Sequence, residues 1–99
     1  MHGNSKKNPN PHHLYGIFEE KTNDVFKYGI TDDPIGKDGL PARARKQLTI
    51  LNLAAGFLKF ICKVLLSGIP GRAEAEKIER EHIQEHQDKL GRMPPGNLK

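Results

Sequence analysis

Between positions 58 and 66 every second residue is apolar: Leu58, Phe60, Cys62, Val64 and Leu66, with Lys59 and Lys63 pointing the other way. A period of two gives an extended strand one apolar face, and a helix does not match that spacing. The segment 72–90 obeys the other period. At about 100° per residue, Ala75, Ile78, Ile83 and Leu90 share one helix face with His82 and His86. Glu74, Glu81 and Glu85 fall on the opposite side and Glu76 at the border. A one-faced strand and a one-faced helix each need a cover, so the core must mix sheet and helix.

The remaining segments extend this pattern. Residues 14–20 (LYGIFEE) and 24–31 (DVFKYGIT) are rich in Tyr, Phe, Ile and Val, and a Lys-Thr-Asn link makes them a predicted hairpin. DDPIGKDGL is a loop by its Pro and Gly content. Pro41 opens a helix running to about Ala55, with Ala44, Leu48, Leu51 and Ala55 as its core stripe and Gly56 as its stop. A strand over 57–66, a turn over 67–71 and the last helix follow, and the tail GRMPPGNLK is loop. The expected fold class is α+β: a small three-stranded antiparallel sheet flanked by helices in β-β-α-β-α order. Residues 1–12 are polar and read as a flexible connector, and residues 13–99 as the domain.

A chain of 99 residues makes one small domain. Its net charge of +4 is compatible with a polyanionic partner. The distribution is more telling. Lys27, Lys37, Arg43, Arg45, Lys46, Lys59 and Lys63 lie mid-chain, while five of the seven Glu lie in the last helical segment. The lone Cys62 has no partner for an internal disulfide and reads as a small buried hydrophobe. No apolar leader follows Met1, and the greasy stretch 48–66 is broken by Asn52, Gly56, Lys59 and Lys63, so membrane insertion is not expected.

Glu79 breaks the helical pattern. It lands in the middle of the apolar stripe of the last helix, where a carboxylate costs free energy unless it is paired or bound to a metal.

These segments carry a family resemblance. LYGIF and KYGIT on adjacent strands, an arginine on the next helix and a glutamate on a later one resemble the GIY-YIG nuclease domain. HGNS, KYGIT, RARKQ, PGRAEAEKIE and PPGN resemble more narrowly the GIY-YIG-type toxin modules at the C-termini of bacterial polymorphic (Rhs or contact-dependent) toxins. The resemblance runs over nearly the whole chain. It implies a catalytic set of Tyr15, Arg43 and Glu79, with Gly29 as the glycine of the second motif and Glu79 holding Mg²⁺ or Mn²⁺. Aligning Gly29 puts Lys27 where the second-motif tyrosine would stand and Tyr28 one place later, so both join the candidate catalytic residues. Gln47 occupies the place of a histidine that nuclease members often carry one turn after the arginine. Arg45, Lys46, His82, His86 and Asn97 are the expected nucleic-acid contacts.

The chemistry suits these residue types. Phosphodiester hydrolysis needs an activated water, balanced charge at phosphorus and a neutralised leaving oxygen. A metal on Glu79 stabilises charge, the Arg43 fork matches phosphate oxygens, and Tyr15 or Lys27 positions or activates the water. The resemblance implies a DNA or RNA substrate, a cognate immunity protein, a monomer, and a delivered effector acting in the target-cell cytoplasm.

Plainer readings compete. Tyr15 and Tyr28 would serve as packing residues, Arg43 as a surface arginine, and Glu79 as the partner of a core-edge Lys or Arg. The alternative function is a non-catalytic nucleic-acid-binding module on the same scaffold. A third reading is a zinc peptidase, since residues 82–86 fit H-x-x-E-H, though that site lacks a third ligand nearby.

Overall fold

In the computed structural model, which describes residues 8–98, five main elements follow the expected order. They are β1 (Pro11–Glu19), β2 (Val25–Thr31), α1 (Ala42–Ala55), β3 (Phe60–Pro70) and α2 (Arg72–Leu90), with a short 3-10 turn at Pro95–Asn97. The fold is α+β. The sheet is antiparallel in the order β2-β1-β3, which puts β1 in the centre.

β1 is central because it is apolar on both faces. Leu14, Tyr15 and Ile17 are essentially fully buried. Neighbouring residues of a strand point to opposite sides, and two clusters form accordingly. Leu14 packs with Ile30, Ile69, Ala75 and Ile78, the last two from α2. Tyr15 and Ile17 pack with Phe60 and the expected α1 stripe of Ala44, Leu48, Leu51 and Ala55. One helix therefore covers each face of the sheet. Cys62 joins the second cluster half-buried, and burial pushes its thiol pKa up to about 11.

Helix ends follow local chemistry. Gly56 stops α1 in the left-handed conformation (φ 80°), its N–H donating to the carbonyls of Asn52 and Leu53. Pro41 precedes α1 without a capping side chain. The Asp33 carboxylate instead accepts the Arg43 N–H at 2.9 Å.

Several boundaries differ from expectation. β1 starts at Pro11, inside the segment read as a connector, and His12 is fully buried. Asn8 is also buried, and its carbonyl accepts the Arg72 N–H at 2.9 Å at the start of α2. The connector's first seven residues lie outside the described residues. β3 runs over Phe60–Pro70 rather than 57–66 because its C-terminal end pairs with the extension of β1, Pro11 opposite Pro70 and His12 opposite Ile69. Register shifts beside Leu14 absorb the irregularity. Leu58 is 78% exposed and lies before the strand, Leu66 is also exposed, and Leu90 extends beyond the core.

Each edge strand is capped at one point by an asparagine side chain. Asn52 accepts from the N–H groups of Lys59 and Phe60 and donates to the Phe60 carbonyl on β3. Asn97 accepts the Tyr28 N–H and donates to the Tyr28 carbonyl on β2, both at 2.9 Å. Each side chain occupies backbone groups that would otherwise invite another strand.

Candidate active site

The sheet register builds the first wall of the site. Tyr15 is the cross-strand partner of Gly29, and Ile17 that of Lys27. Lys27 therefore shares the Tyr15 face of the sheet, while Tyr28 packs against the opposite cluster with Ile78. The first turn of α1 brings Arg43 beside Tyr15, and the second turn brings Gln47, whose Oε1 accepts the Tyr15 hydroxyl proton at 2.7 Å. From the other side α2 contributes Glu79. A cleft of about 150 Å³ at the β2 edge is lined by Tyr15, Lys27, Arg43, Glu79, Arg72 and Asn97, together with residues 28–30 of β2.

The inward-pointing acid and the helix arginine thus share one cleft. Arg72 was not foreseen. It stands seven residues before Glu79, close to two full helical turns, and that spacing is the signal that reveals it. Its Nε lies 3.3 Å from the Glu76 carboxylate.

The electrostatics are asymmetric: Lys27, Arg43 and Arg72 face Glu79. Burial, then the neighbouring Glu76, raises the Glu79 pKa above the ordinary carboxylate value, and Lys27, Arg72 and Arg43 oppose the rise. Burial, then Arg43, lowers the Lys27 pKa, and Glu79 opposes that shift. Burial raises the Tyr15 phenol, with the adjacent guanidinium of Arg43 opposing.

Glu79 is half-buried, yet among the described residues it makes no hydrogen bond and no ion pair within 4.0 Å. A cleft-facing carboxylate left without a protein partner fits a hard divalent ion, which takes one or two carboxylates and completes its shell with water and phosphate oxygens. Zinc fits poorly: among the described residues no group of three or more His, Cys, Asp or Glu converges.

The other candidates lie elsewhere. Arg45 is held outside the cleft by Asp38, at 2.6 and 2.8 Å, and by the Leu40 carbonyl. Lys46 is solvent-exposed and does not line the cleft. His82 and His86 line a neighbouring pocket that shares Tyr28 with the cleft. Asn97 does line the cleft, but both ends of its amide are engaged by the Tyr28 backbone. The amide keeps a second N–H and a second lone pair, so this structural role stands beside the expected substrate contact.

These features define a small α+β domain with a cation-rich cleft around one carboxylate at a sheet edge. The chain belongs to the Tox-URI2 family, URI fold toxin 2, whose family model matches residues 5–91. It is a toxin module. No curated protein and no solved structure matches it. No helix among the described residues is long and apolar enough to cross a membrane.

Proposed function

We propose that this toxin module is a metal-dependent endonuclease of the GIY-YIG type, hydrolysing nucleic-acid phosphodiester bonds in a competing bacterium. The observation that carries the reading is the shared cleft of Glu79 and Arg43, with Tyr15 and Lys27 beside them.

Glu79 would hold Mg²⁺ or Mn²⁺, which when bound supplies positive charge against the phosphate and the leaving oxygen. Arg43 and Arg72 grip non-bridging phosphate oxygens and balance the charge that grows on them. The Tyr15 hydroxyl donates its hydrogen bond to Gln47 and keeps its proton, which leaves its oxygen lone pairs to accept from and orient the attacking water. Lys27 takes the water proton on Nζ. Its lowered pKa enlarges the neutral amine fraction that such a base needs. The water oxygen bonds to phosphorus as the phosphorus–oxygen bond to the leaving group breaks, and that oxygen collects a proton from solvent. A raised phenol pKa makes Tyr15 the poorer base and the better positioning group.

The producing cell needs an immunity protein, and an acidic surface covering Arg43 and the nearby lysines would serve. Delivery into the target cytoplasm is the matching site of action, and a monomer suffices because one chain carries every group invoked.

The deciding experiment incubates wild-type and Arg43→Ala protein with plasmid and total RNA, with Mg²⁺ or with EDTA. Wild type is expected to cut at least one substrate with Mg²⁺ only, and Arg43→Ala to be slower by about a hundredfold or more. Undiminished cleavage by Arg43→Ala overturns the assignment. Salt-sensitive binding without any cleavage, whichever metal is added, favours the non-catalytic alternative that the replaced second-motif tyrosine suggests.

A further inference from the structure

Beside the cleft, across Tyr28, lies a second pocket of about 270 Å³ lined by Tyr28, His82, Glu85, His86, Lys89 and Leu90. We infer that it receives one unpaired nucleobase adjacent to the scissile phosphate, which makes the substrate a single-stranded or locally unpaired nucleic acid. This inference rests on the nuclease reading of the cleft.

Four observations converge on a base as the occupant. First, Tyr28 lines both spaces, so a strand whose phosphate sits among Arg43, Arg72 and Glu79 has its neighbouring nucleoside within reach of the second pocket. Second, the walls offer flat and apolar surface: the Tyr28 and His82 rings stand edge-on with centroids 5.3 Å apart, and the Leu90 side chain is 53% exposed at the end of α2. Every base has a π-face for which such walls are suited.

Third, the imidazoles have a fixed polarity. The Nδ1 of His82 lies 2.9 Å from the Ile78 carbonyl and the Nδ1 of His86 lies 2.8 Å from the Arg92 carbonyl. A carbonyl only accepts, so each ring carries a proton on Nδ1 and, when neutral, keeps a lone pair on Nε2. Acceptors of that kind suit the exocyclic amines of adenine or cytosine. Fourth, the platform is rigid where it must be. Both backbone groups of Tyr28 are held by Asn97, so the strand position between the two pockets is fixed before any substrate arrives.

A base inside a duplex is stacked on both faces and paired along its edge, and cannot enter such a pocket without leaving the helix. The pocket therefore selects against intact duplex, in both the ribose and the deoxyribose series.

The test uses the full chain carrying Glu79→Gln, to slow cleavage, and oligonucleotides with a single 2-aminopurine. Four probes cover single strand and hairpin stem, each in RNA and DNA. Quenching of the 2-aminopurine in a single strand on binding, absent in the paired stem, is expected. Adding His82→Ala, and separately Leu90→Ser, should reduce that quenching and weaken single-strand binding by about tenfold each, with thermal unfolding checked to confirm the fold. His82→Phe, which keeps a ring, should restore quenching in the single strand. In the wild-type background, His82→Ala should raise KM on single strands while kcat holds.

Equal binding of single strand and stem, or quenching indifferent to both pocket variants, overturns the inference even if the protein proves to be a nuclease. Full cleavage by Glu79→Gln overturns the catalytic reading instead, and the fluorescence signal still decides the pocket.

Discussion

The phenol of Tyr15 lies across the backbone of Gly29, its partner on the adjacent strand, so closely that a Cβ built at Gly29 would meet the ring. The glycine of one motif is thus the seat for the tyrosine of the other. Gly29→Ala is expected to push the ring off its site, breaking its bond to Gln47, and to destabilise the domain by about 1–3 kcal/mol. Urea unfolding measures the loss, and an unchanged midpoint would refute the packing argument.

Glu79→Gln separates function from stability. Burial raises the folded-state pKa of Glu79 above its unfolded value, so the native state holds its proton more tightly. The sign follows: between the ordinary carboxylate value and the raised one, stability falls as pH rises, because the native state then retains a buried charge. Glu79→Gln should therefore match wild type in stability near pH 4 and exceed it near pH 7, while losing cleavage. Thermal unfolding at the two pH values reads the difference, and a variant less stable at pH 7 than wild type would contradict it.

Lys27 is expected to act through its neutral amine. The cleavage rate should rise with pH and level off below the ordinary lysine value of 10.5, since burial and Arg43 lower its pKa. Lys27→Arg keeps the charge but cannot release its proton, and should lose about a hundredfold or more in kcat together with the pH rise. If the arginine variant keeps full activity, Lys27 serves as a charge and not as a base.

Asn97→Ala removes both bonds that close the β2 edge at Tyr28. At about 0.5–1.5 kcal/mol for each net hydrogen bond, the loss should be about 1–3 kcal/mol. The freed edge should also raise concentration-dependent association, read by light scattering. Binding of nucleic acid that falls with no change in stability would instead assign Asn97 to the substrate.

Much of the fold is legible in one dimension because its period is local. The α1 stripe of Ala44, Leu48, Leu51 and Ala55 packs where helical winding puts it, and Gly56 stops the helix as its freedom at positive φ allows. The strand boundaries were less legible. β3 continues through Ser67 and Gly68 because β1 continues beside it to Pro11, and pairing between distant segments has no periodic mark in either. The same limit hid the asparagine side chains of Asn52 and Asn97, whose partners are backbone groups on other elements. Among the site residues, Arg45 lies outside the cleft: a basic run on a helix points in several directions, and Asp38 holds this one away.

Taken alone, the order of residues determined the type and order of the secondary elements and the placement of one acid inside an apolar stripe, because each depends on spacing along the chain. Only the tertiary structure decided that this acid meets Arg43 in a common cleft, that Arg72 joins them, and that Tyr28 turns to a neighbouring pocket with His82. The reason is geometric: α1 and α2 cover opposite faces of the sheet, and their charged side chains converge around the edge of β2.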